Sequence, residues 1–484
     1  MNNILWYYWD SGVLDERKNV MKYNNNKAEN VKIAYIGGGS RGWAWGLMSD
    51  LISCDKMSGE VWLYDIDFEA AKANEIIGNK YNNTKEAKTC WNYKAVETIG
   101  EALTGANAVI ISILPGTFDE MESDVHWPER YGIYQSVGDT SGPGGIVRAM
   151  RTIPMIEEIA KNIEKYCPDA WVINYTNPMT LCVKALYNTY PAIKAFGCCH
   201  EVFGTQKLLT HVVSEYLGEE DVPRNEIIVN PIAVNHFTWL TSASYKNIDL
   251  FPYYKEFCEK YADGYSKKNV DTNWMNNSFK SEDKVKMELF RKFGYIAAAG
   301  DRHLAEFCPG EWYLASPERV QEMHFGLTTV QWRKEDLEKR LEKSKRLVNG
   351  EEEVEVKVTG EEGVNQICAL LGLGELVTNV NMPNRGQISN LPLGAVVETN
   401  AVFRANSLQP VLAGKIPEEI YPLVSKICLE QEQVAEGIAE RNVEKIFEAF
   451  AGDPLVTCNR AEARKMFDEM CENTKTYLNM YQLH

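Results

Sequence analysis

The chain has 484 residues, of which 45% are hydrophobic and 25% are charged, and this composition is typical of a protein that folds along its whole length. The length exceeds what one compact core usually holds, so we expect two closely packed domains. The formal net charge of -17 disfavours nucleic acid and anionic membrane surfaces as partners, because both require a basic face.

Cysteine usage and the N-terminal segment bear on the cellular compartment. The twelve cysteines are scattered, without the short spacing of a secreted disulfide scaffold and without paired CxxC zinc motifs. Residues 1–30 lack the basic and apolar regions of an export signal, and no apolar run of membrane-spanning length occurs. We therefore expect reduced thiols and a cytoplasmic protein.

From Val31 onward, short apolar strands alternate with helices, which predicts a Rossmann-like, doubly wound parallel sheet. We expect this α/β domain over residues 31–204, after an N-terminal extension of residues 1–30. The predicted strands span residues 31–36, 61–64, 90–94, 108–114, 171–174 and 193–197, and the predicted helices span 43–52, 68–81, 146–166 and the residues after Pro178.

The alternation weakens after residue 204, which predicts a C-terminal mixed α+β domain over residues 205–484 that holds substrate and metal and forms oligomer contacts. Periodicity predicts strands at 226–234, 352–358 and 395–403, and helices at 281–293, 417–441, 443–450 and 460–477.

A glycine-rich turn follows the first strand and precedes the first helix, with Asp65 closing the second strand. Glycines there allow the backbone to approach a pyrophosphate, and the acidic side chain can bind the ribose hydroxyls, which favours NAD over NADP. The alternative is an ordinary glycine turn beside a surface aspartate. The predicted cofactor-binding residues are Gly37, Gly38, Gly39, Ser40, Gly42 and Asp65.

Cys199 follows the last predicted parallel strand, and His236 follows another β-rich run. A thiolate and an imidazole can ligate a divalent cation and leave coordination positions open, so these two residues are candidate metal ligands. The alternative is a buried cysteine and a core histidine, which the spacing does not exclude. Cys198 points the opposite way and is expected in the core.

Five motifs together resemble family 4 of the glycoside hydrolases in order and spacing, over about residues 31–450. They are G-G-G-S at 37–40, G-P-G-G-I-V-R-A-M-R-T-I-P at 142–154, N-Y-T-N-P at 174–178, C-H-E-V at 199–202 and N-H at 235–236. The resemblance implies an NAD- and divalent-metal-dependent glycosidase, usually with Mn²⁺, in which Cys199 and His236 ligate the metal and Asn177 contacts the substrate. Mn²⁺ prefers oxygen ligands, so its identity comes from the resemblance and not from these two residues.

The C-H-E-V motif resembles the α-galacturonidase subgroup of that family, as do residues 113–121 and 300–307. The resemblance makes His200 and Glu201 readers of the substrate. An arginine can hold a uronate carboxylate through two hydrogen bonds, although each arginine is also an ordinary surface charge. The candidate arginines for this role are Arg302, Arg385 and Arg404, and Arg148 is a further predicted substrate-binding residue.

The resemblance also implies a mechanism unlike that of glycosidases with two carboxylates. NAD oxidises the sugar at C3, a base removes the C2 proton, the glycosidic oxygen leaves by elimination, water adds, and the hydride returns to C3. We expect Asp301 to be the C2 base, with Tyr295 as a rival and a salt bridge to Arg302 as the structural alternative. His200 or Glu201 could assist the leaving group as an acid or bind sugar hydroxyls.

Other functions share parts of this pattern. An α-glucuronidase or another family 4 α-glycosidase would have the same cofactors. An NAD-dependent hydroxyacid dehydrogenase would share the nucleotide domain but would not require Cys199 and His236, and a nucleotide-sensing protein would leave Asp301 unexplained. The resemblance further implies a homodimer or homotetramer.

Overall fold

The computed structural model of the chain describes residues 21–265 and 281–483. The strands are β1 (Lys22–Asn24), β2 (Lys27–Ile36), β3 (Met57–Tyr64), β4 (Trp91–Val96), β5 (Ala108–Ile111), β6 (Trp171–Asn174), β7 (Lys194–Gly197), β8 (Ile227–Ala233), β9 (Trp239–Tyr245), β10 (Ile248–Asp249), β11 (Ile296–Ala297), β12 (Leu376–Pro383), β13 (Val396–Arg404) and β14 (Ser407–Pro410).

The helices of the described residues are α1 (Trp43–Ser53), α2 (Phe68–Lys80), α3 (Ile99–Leu103), α4 (Phe118–His126), α5 (Gly142–Tyr166), α6 (Met179–Thr189), α7 (Glu201–Leu217), α8 (Phe251–Lys260), α9 (Lys284–Phe293), α10 (Asp301–Glu306), α11 (Gly310–Tyr313), α12 (Pro317–Glu322), α13 (Val330–Asn349), α14 (Gly363–Leu370), α15 (Tyr421–Ala439), α16 (Val443–Gly452) and α17 (Arg460–Asn473). Short 3₁₀ turns lie at Tyr81–Asn83, Pro128–Tyr131, Arg224–Glu226 and Lys475–Tyr477.

One large sheet organises the molecule, in the order β10-β9-β8-β13-β12-β7-β6-β5-β2-β3-β4. Strands β7 to β4 of this order pair in parallel and have the arrangement of a Rossmann domain, which confirms the predicted fold class. The antiparallel strand β12 then joins β7, and β13 and β8 continue the sheet into the C-terminal half. The proposed division at residue 204 therefore lies within a continuous sheet.

The parallel strands are buried on both faces, which explains their uninterrupted apolar sequences. In β5, Val109 and Ile111 pack into the core shared with α5 and α6, whereas Ala108 and Ile110 pack into the core shared with α1 and α14. Side chains alternate between the two faces of a strand, so four consecutive apolar residues supply both cores.

The first strand begins earlier than the sequence predicts. β1 and β2 form a hairpin within residues 21–30, in which Asn24 pairs with Lys27. The two loop residues, Asn25 and Asn26, have φ angles of 47° and 64°, the left-handed conformation that asparagine tolerates in such turns. Residues 1–20 of the predicted N-terminal extension lie outside the described residues.

The strand predicted at 352–358 is wrong, because this segment has no regular structure. Val354 and Val356 pack against the core beside α1, while Val358 is 63% exposed. The alternation of buried and exposed residues is present, but none of the strands described in the structure pairs with the segment. A further difference concerns α5, which begins at Gly142 instead of residue 146. Within the described residues, no helix is both long enough and apolar enough to cross a membrane.

Candidate active site

The site lies where the parallel strands end, which is where open α/β sheets bind ligands. The glycine-rich turn follows β2, Asn177 follows β6, and Cys199, His200 and Glu201 follow β7. Longer-range contacts add Asp139 from the loop before α5, His236 from the turn between β8 and β9, and His303 from α10.

The glycine-rich turn has the geometry of a dinucleotide cradle. Gly37 has a φ of 93°, and a methyl group added there would lie 2.1 Å from the Ser112 carbonyl oxygen. A methyl group on Gly38 would lie 2.8 Å from Leu63 Cβ. The Gly39 N–H donates to Asp65 Oδ2 at 2.8 Å, so Asp65 also fixes the turn.

The remaining predicted cofactor residues complete this turn. The Ser40 N–H donates to the Gly37 carbonyl at 3.0 Å, and Gly42 immediately precedes α1. The first N–H groups of α1 therefore face the turn, an arrangement that favours a pyrophosphate. The cradle fits a dinucleotide, because the close backbone approach leaves room only for glycine hydrogens.

Asp139, His236 and His303 form a compact cluster whose carboxylate oxygen and imidazole nitrogens lie within 4.8 Å of one another. The two imidazole rings stack with centroids 3.8 Å apart. Among the described residues, this cluster is the one group in which three or more side chains lie close enough to hold a metal ion. Sequence reasoning missed Asp139 and His303, although His303 stands inside the quoted run at 300–307.

Hydrogen bonds fix the proton positions in this cluster. The Thr140 hydroxyl donates to Asp139 Oδ1 at 2.7 Å, so it accepts from His236 Nδ1 at 3.0 Å. Because His236 carries its proton on Nδ1, the lone pair of Nε2 is available to a cation. His303 Nδ1 is buried and has no hydrogen-bond partner among the described residues.

Electrostatics favour neutral imidazoles beside an ionised carboxylate. Burial and the neighbouring His303 lower the pKa of His236 to about 3, and burial also lowers the pKa of His303. Burial alone would raise the pKa of Asp139, but the adjacent histidines, whenever they carry a proton, and the permanently charged Arg148 lower it well below its usual range. One oxygen and two nitrogen donors suit a divalent transition metal, including Mn²⁺, better than a thiolate does.

The structure does not bring Cys199 into this three-residue cluster. Its side chain is buried beside Met179, Val183 and Val396, and burial together with Glu398 raises the pKa of the thiol well above its usual value. Cys199 follows β7 directly, as expected, but its role as a metal ligand stays a prediction.

His200 and Glu201 lie at the start of α7, at the rim of the cluster. His200 Nδ1 is 3.0 Å from Glu361 Oε1, and its Nε2 is 4.0 Å from Glu201 Oε1. Burial opposes protonation, but the Glu361 carboxylate raises the pKa of His200 to about 9. Glu201 accepts the Gly300 N–H at 2.6 Å and lies 3.7 Å from His303. Glu201 therefore connects the C-H-E-V motif with the residue that begins the 300–307 run.

Asn177 and Arg148 lie at the cluster, and their predicted contacts with the substrate stay predictions. Asn177 Nδ2 donates to Asp139 Oδ2 at 3.2 Å, and its Oδ1 is buried without a partner among the described residues. Arg148 Nε lies 3.3 Å from the Asn177 carbonyl oxygen, and its Nη1 is also buried without such a partner. Both side chains thus retain polar atoms that a substrate could satisfy.

The other candidate arginines divide into one near the cluster and two elsewhere. Arg302 is 7% exposed and donates to the Ser136 carbonyl at 3.1 Å and to the Thr328 hydroxyl. Arg404 is exposed at the end of β13 and pairs with Glu375 at 2.9 Å. Arg385 is exposed in the loop after β12.

Asp301 is completely buried, but its carboxylate caps a helix. Its oxygens accept the N–H groups of Val285 and Lys286, at 3.2 and 3.0 Å, at the start of α9. Residues two apart on a helix project in nearly opposite directions, so Asp301 and His303 face different sides of α10. Tyr295 packs on the α5 core and lies near Glu419. Neither proposed base belongs to the metal-binding cluster.

Glu306 is a further buried carboxylate that the sequence did not reveal. Its Oε1 accepts the N–H groups of Val137 and Gly138 at 2.7 and 2.9 Å, which fixes the loop that carries Asp139. Burial raises the pKa of Glu306 to about 7. The position of Asp139 therefore depends on a contact with the same helix that supplies His303.

Comparisons with known proteins agree with this arrangement. Residues 32–215 match the model of the family 4 glycosyl hydrolases, and residues 233–456 match the C-terminal domain of the same family. The chain is 60% identical to an α-galacturonidase of Thermoanaerobacterium saccharolyticum, over 96% of this chain and all of that protein.

Two solved structures share the fold of this chain. A crystal structure from Bacillus subtilis, described as a glucosidase, is 50% identical and superposes with a TM-score of 0.86 over 91% of this chain and all of that chain. A 6-phospho-β-glucosidase from Thermotoga maritima, solved with manganese, NAD⁺ and glucose-6-phosphate, has a TM-score of 0.74 at 19% identity, over 94% of this chain and all of that chain. This second likeness concerns the fold.

Proposed function

Because the chain belongs to family 4 of the glycosyl hydrolases, we propose that it hydrolyses α-galacturonides with NAD⁺ and a divalent cation, Mn²⁺, as cofactors. The 60% identity to an α-galacturonidase over nearly the whole chain carries this proposal. The dinucleotide cradle and the Asp139, His236 and His303 cluster support it, since the two features lie at the same edge of the sheet.

The turn at residues 37–42 would hold the pyrophosphate, and Asp65 would bind the ribose hydroxyls while keeping its bond to Gly39. Asp139, His236 and His303 would hold the cation, and Cys199 stays a predicted fourth ligand. When bound, NAD⁺ supplies a reversible hydride acceptor for C3 of the sugar, and the cation supplies a Lewis acid for the sugar oxygens.

The chain's own side chains orient the sugar and move protons. Asn177, Arg148 and Glu201 would bind sugar hydroxyls through the polar atoms that they present at the cluster. His200 would donate a proton to the leaving oxygen, a role supported by its partial exposure and by the Glu361 carboxylate, which raises the pKa of His200 to about 9. The assignment of Asp301 as the C2 base stays a prediction from the family resemblance alone, and its two contacts at the start of α9 support a structural role, which we expect instead.

Compartment and assembly complete the proposal. The twelve cysteines are all free thiols, which supports a reducing, cytoplasmic environment. The family resemblance supports a homodimer or homotetramer, which light scattering coupled to size-exclusion chromatography would distinguish.

One assay tests the proposed activity. The purified protein is incubated with NAD⁺, Mn²⁺ and a reductant, and p-nitrophenyl α-galacturonide is compared with the α-glucuronide and the neutral α-galactoside. We expect preferential hydrolysis of the galacturonide without net NADH accumulation. Preference for the glucuronide would indicate the related glucuronidase, steady NADH formation would indicate a dehydrogenase, and turnover of none of the three would contradict the proposal.

A further inference from the structure

Arg333 is a basic side chain at the active site that the mechanism leaves without a role. It lies in the first turns of α13, which begins at Val330 after the capping residue Thr329. The side chain is partly buried, and its Nε is fully buried with no hydrogen-bond partner among the described residues. An arginine nitrogen in this state is costly unless a ligand satisfies it.

The anchoring of α13 places Arg333 beside the metal-binding cluster. The Thr328 N–H donates to the Ser136 carbonyl at 3.0 Å, and the Val330 N–H donates to His126 Nε2 at 3.1 Å. Arg302 bonds the same two residues, Ser136 and Thr328. The start of α13, the loop before Asp139 and helix α10 are thereby held together.

The acidic groups near Arg333 each have another partner, and the third of them, Asp336, pairs with Arg340 at 2.5 Å. Burial lowers the pKa of Arg333, while Asp139 and Glu306 are the first acidic groups that counteract this effect. Burial lowers the pKa of Arg302 to about 10, and the positive charge of the nearby Arg333 is the next largest cause of that decrease. Asp139 faces the cation-binding cluster and Glu306 is bound to backbone N–H groups, so neither carboxylate is committed to Arg333. Two neighbouring guanidinium groups in a partly dry pocket therefore favour a bound anion.

The position of Arg333 along α13 distinguishes the sugar from the dinucleotide as the source of that anion. Arg340 lies two helical turns further along the same face, about 10 Å away, and its Nη1 reaches the Arg41 carbonyl at the end of the glycine-rich turn. Arg340 therefore lies on the part of α13 next to the dinucleotide cradle, whereas Arg333 lies on the part next to Asp139, which Asn177 contacts.

We propose that Arg333 binds the carboxylate at C6 of the uronate and makes the enzyme selective for acidic sugars, with Arg302 positioned beside it. This inference rests on the proposed function, because it assigns one group of that substrate to one side chain. A guanidinium suits the task, since its two parallel N–H groups match a carboxylate.

The test compares an acidic ligand with its neutral counterpart. D-galacturonate and its methyl ester are measured as competitive inhibitors of galacturonide hydrolysis, with NAD⁺ and Mn²⁺ present, for the wild type and for Arg333→Gln and Arg333→Lys. Losing a charge-assisted hydrogen bond pair should weaken galacturonate binding by about 10- to 100-fold in Arg333→Gln. Binding of the methyl ester should change by less than about 3-fold, and Arg333→Lys should fall between the wild type and Arg333→Gln because it keeps the charge but not the fork.

Lys334→Gln is the matched control, because Lys334 stands on the same turn but pairs with Asp119 in solvent. It should leave both inhibition constants unchanged, and NAD⁺ affinity measured by fluorescence should be unchanged in all variants. Equal losses for acid and ester, a loss of NAD⁺ affinity, or an unchanged preference for the acid would overturn the assignment to Arg333. A wild type that neither binds nor cleaves galacturonides would overturn both proposals. An active wild type, combined with an Arg333→Gln variant whose inhibition constants equal those of the wild type, would overturn this one alone. Thermal melting of each variant identifies any that is misfolded, and Arg333→Lys then carries the comparison.

Discussion

His236 has a backbone φ of 65°, in the left-handed region that residues other than glycine occupy infrequently. Such a conformation persists only where the surroundings hold it, and here Thr140 holds the ring nitrogen while the turn joins β8 to β9. The strained turn directs the imidazole towards Asp139 and His303, so its conformational cost is consistent with a metal-binding role.

Replacing Asp139 tests the composition of the cation site. Asp139→Asn removes the negative charge and keeps the shape of the side chain. Loss of a residue that only hydrogen-bonds to a metal ligand usually lowers metal affinity by about 10- to 100-fold, so loss of the Asp139 carboxylate should lower Mn²⁺ affinity by at least that much. Metal content after dialysis and an EPR titration with Mn²⁺ measure this change. Asp119→Asn, at a carboxylate that is 87% exposed, should bind metal as the wild type does. Undiminished Mn²⁺ binding in Asp139→Asn would remove Asp139 from the site.

The two roles considered for Asp301 lead to different outcomes. If Asp301 caps α9, the substitution Asp301→Asn should lower the free energy of unfolding by about 1–3 kcal/mol, because two backbone donors lose their charged acceptor. Urea denaturation measures this loss, with Asp169→Asn as the fully exposed control. We expect hydrogen exchange at C2 of the sugar to persist in folded Asp301→Asn. Exchange abolished with stability and NAD⁺ binding intact would instead establish Asp301 as the base.

At the scale of elements, one buried ion pair fastens the central helix of the site. Arg151 on α5 donates to both oxygens of Asp124 on α4 and to the Pro115 carbonyl at 3.0 Å. Both side chains are at most 1% exposed. The pair therefore ties the loop after β5 and helix α4 to the helix that carries Arg148.

Arg151→Met should destabilise the protein by about 3–5 kcal/mol, because it leaves the Asp124 carboxylate buried without its partner. Lys161→Met, on the same helix at a side chain that is 62% exposed, should change stability by less than about 0.5 kcal/mol. Both values come from denaturant unfolding, and adding Asp124→Leu to Arg151→Met should recover part of the loss. Equal stabilities of the two single variants would contradict this account.

Most of the parallel strands and several of the helices beside them could be predicted from the sequence, because each of these elements buries an apolar face of its own. The strands from β2 to β7 and helices α1, α2, α5 and α6 follow directly from their periodicity. The segment 352–358 shows where this reasoning stops, because alternation alone does not supply a neighbouring strand. Asp139 was missed for a related reason, since its loop is positioned by Glu306 and not by any local pattern.

At the scale of the whole molecule, cofactor binding should appear as stability. A ligand that binds only the folded state at 100 times its dissociation constant adds about 2.7 kcal/mol, so NAD⁺ should raise the melting temperature measured by scanning fluorimetry. Gly39→Ala should abolish that response, because its methyl group would lie 2.7 Å from Ala70 Cβ and 2.9 Å from Asp65 Oδ2. Gly452→Ala, where an added methyl group meets nothing within 4 Å, is the control. A response in Gly39→Ala equal to that of the wild type would argue against this turn as the binding site.

The pairing of Gly197 on β7 with Asn381 on β12 links the Rossmann strands to the antiparallel strands beyond them. A polypeptide that stopped after residue 215 would keep the glycine-rich turn but would leave β7 as a bare sheet edge, the kind of surface that recruits other chains. During synthesis, the N-terminal half must therefore wait for about 160 further residues before β12 emerges to cover that edge. The dinucleotide-binding half is consequently a poor candidate for independent inheritance or for transplantation into another enzyme, even though it contains the entire cofactor cradle.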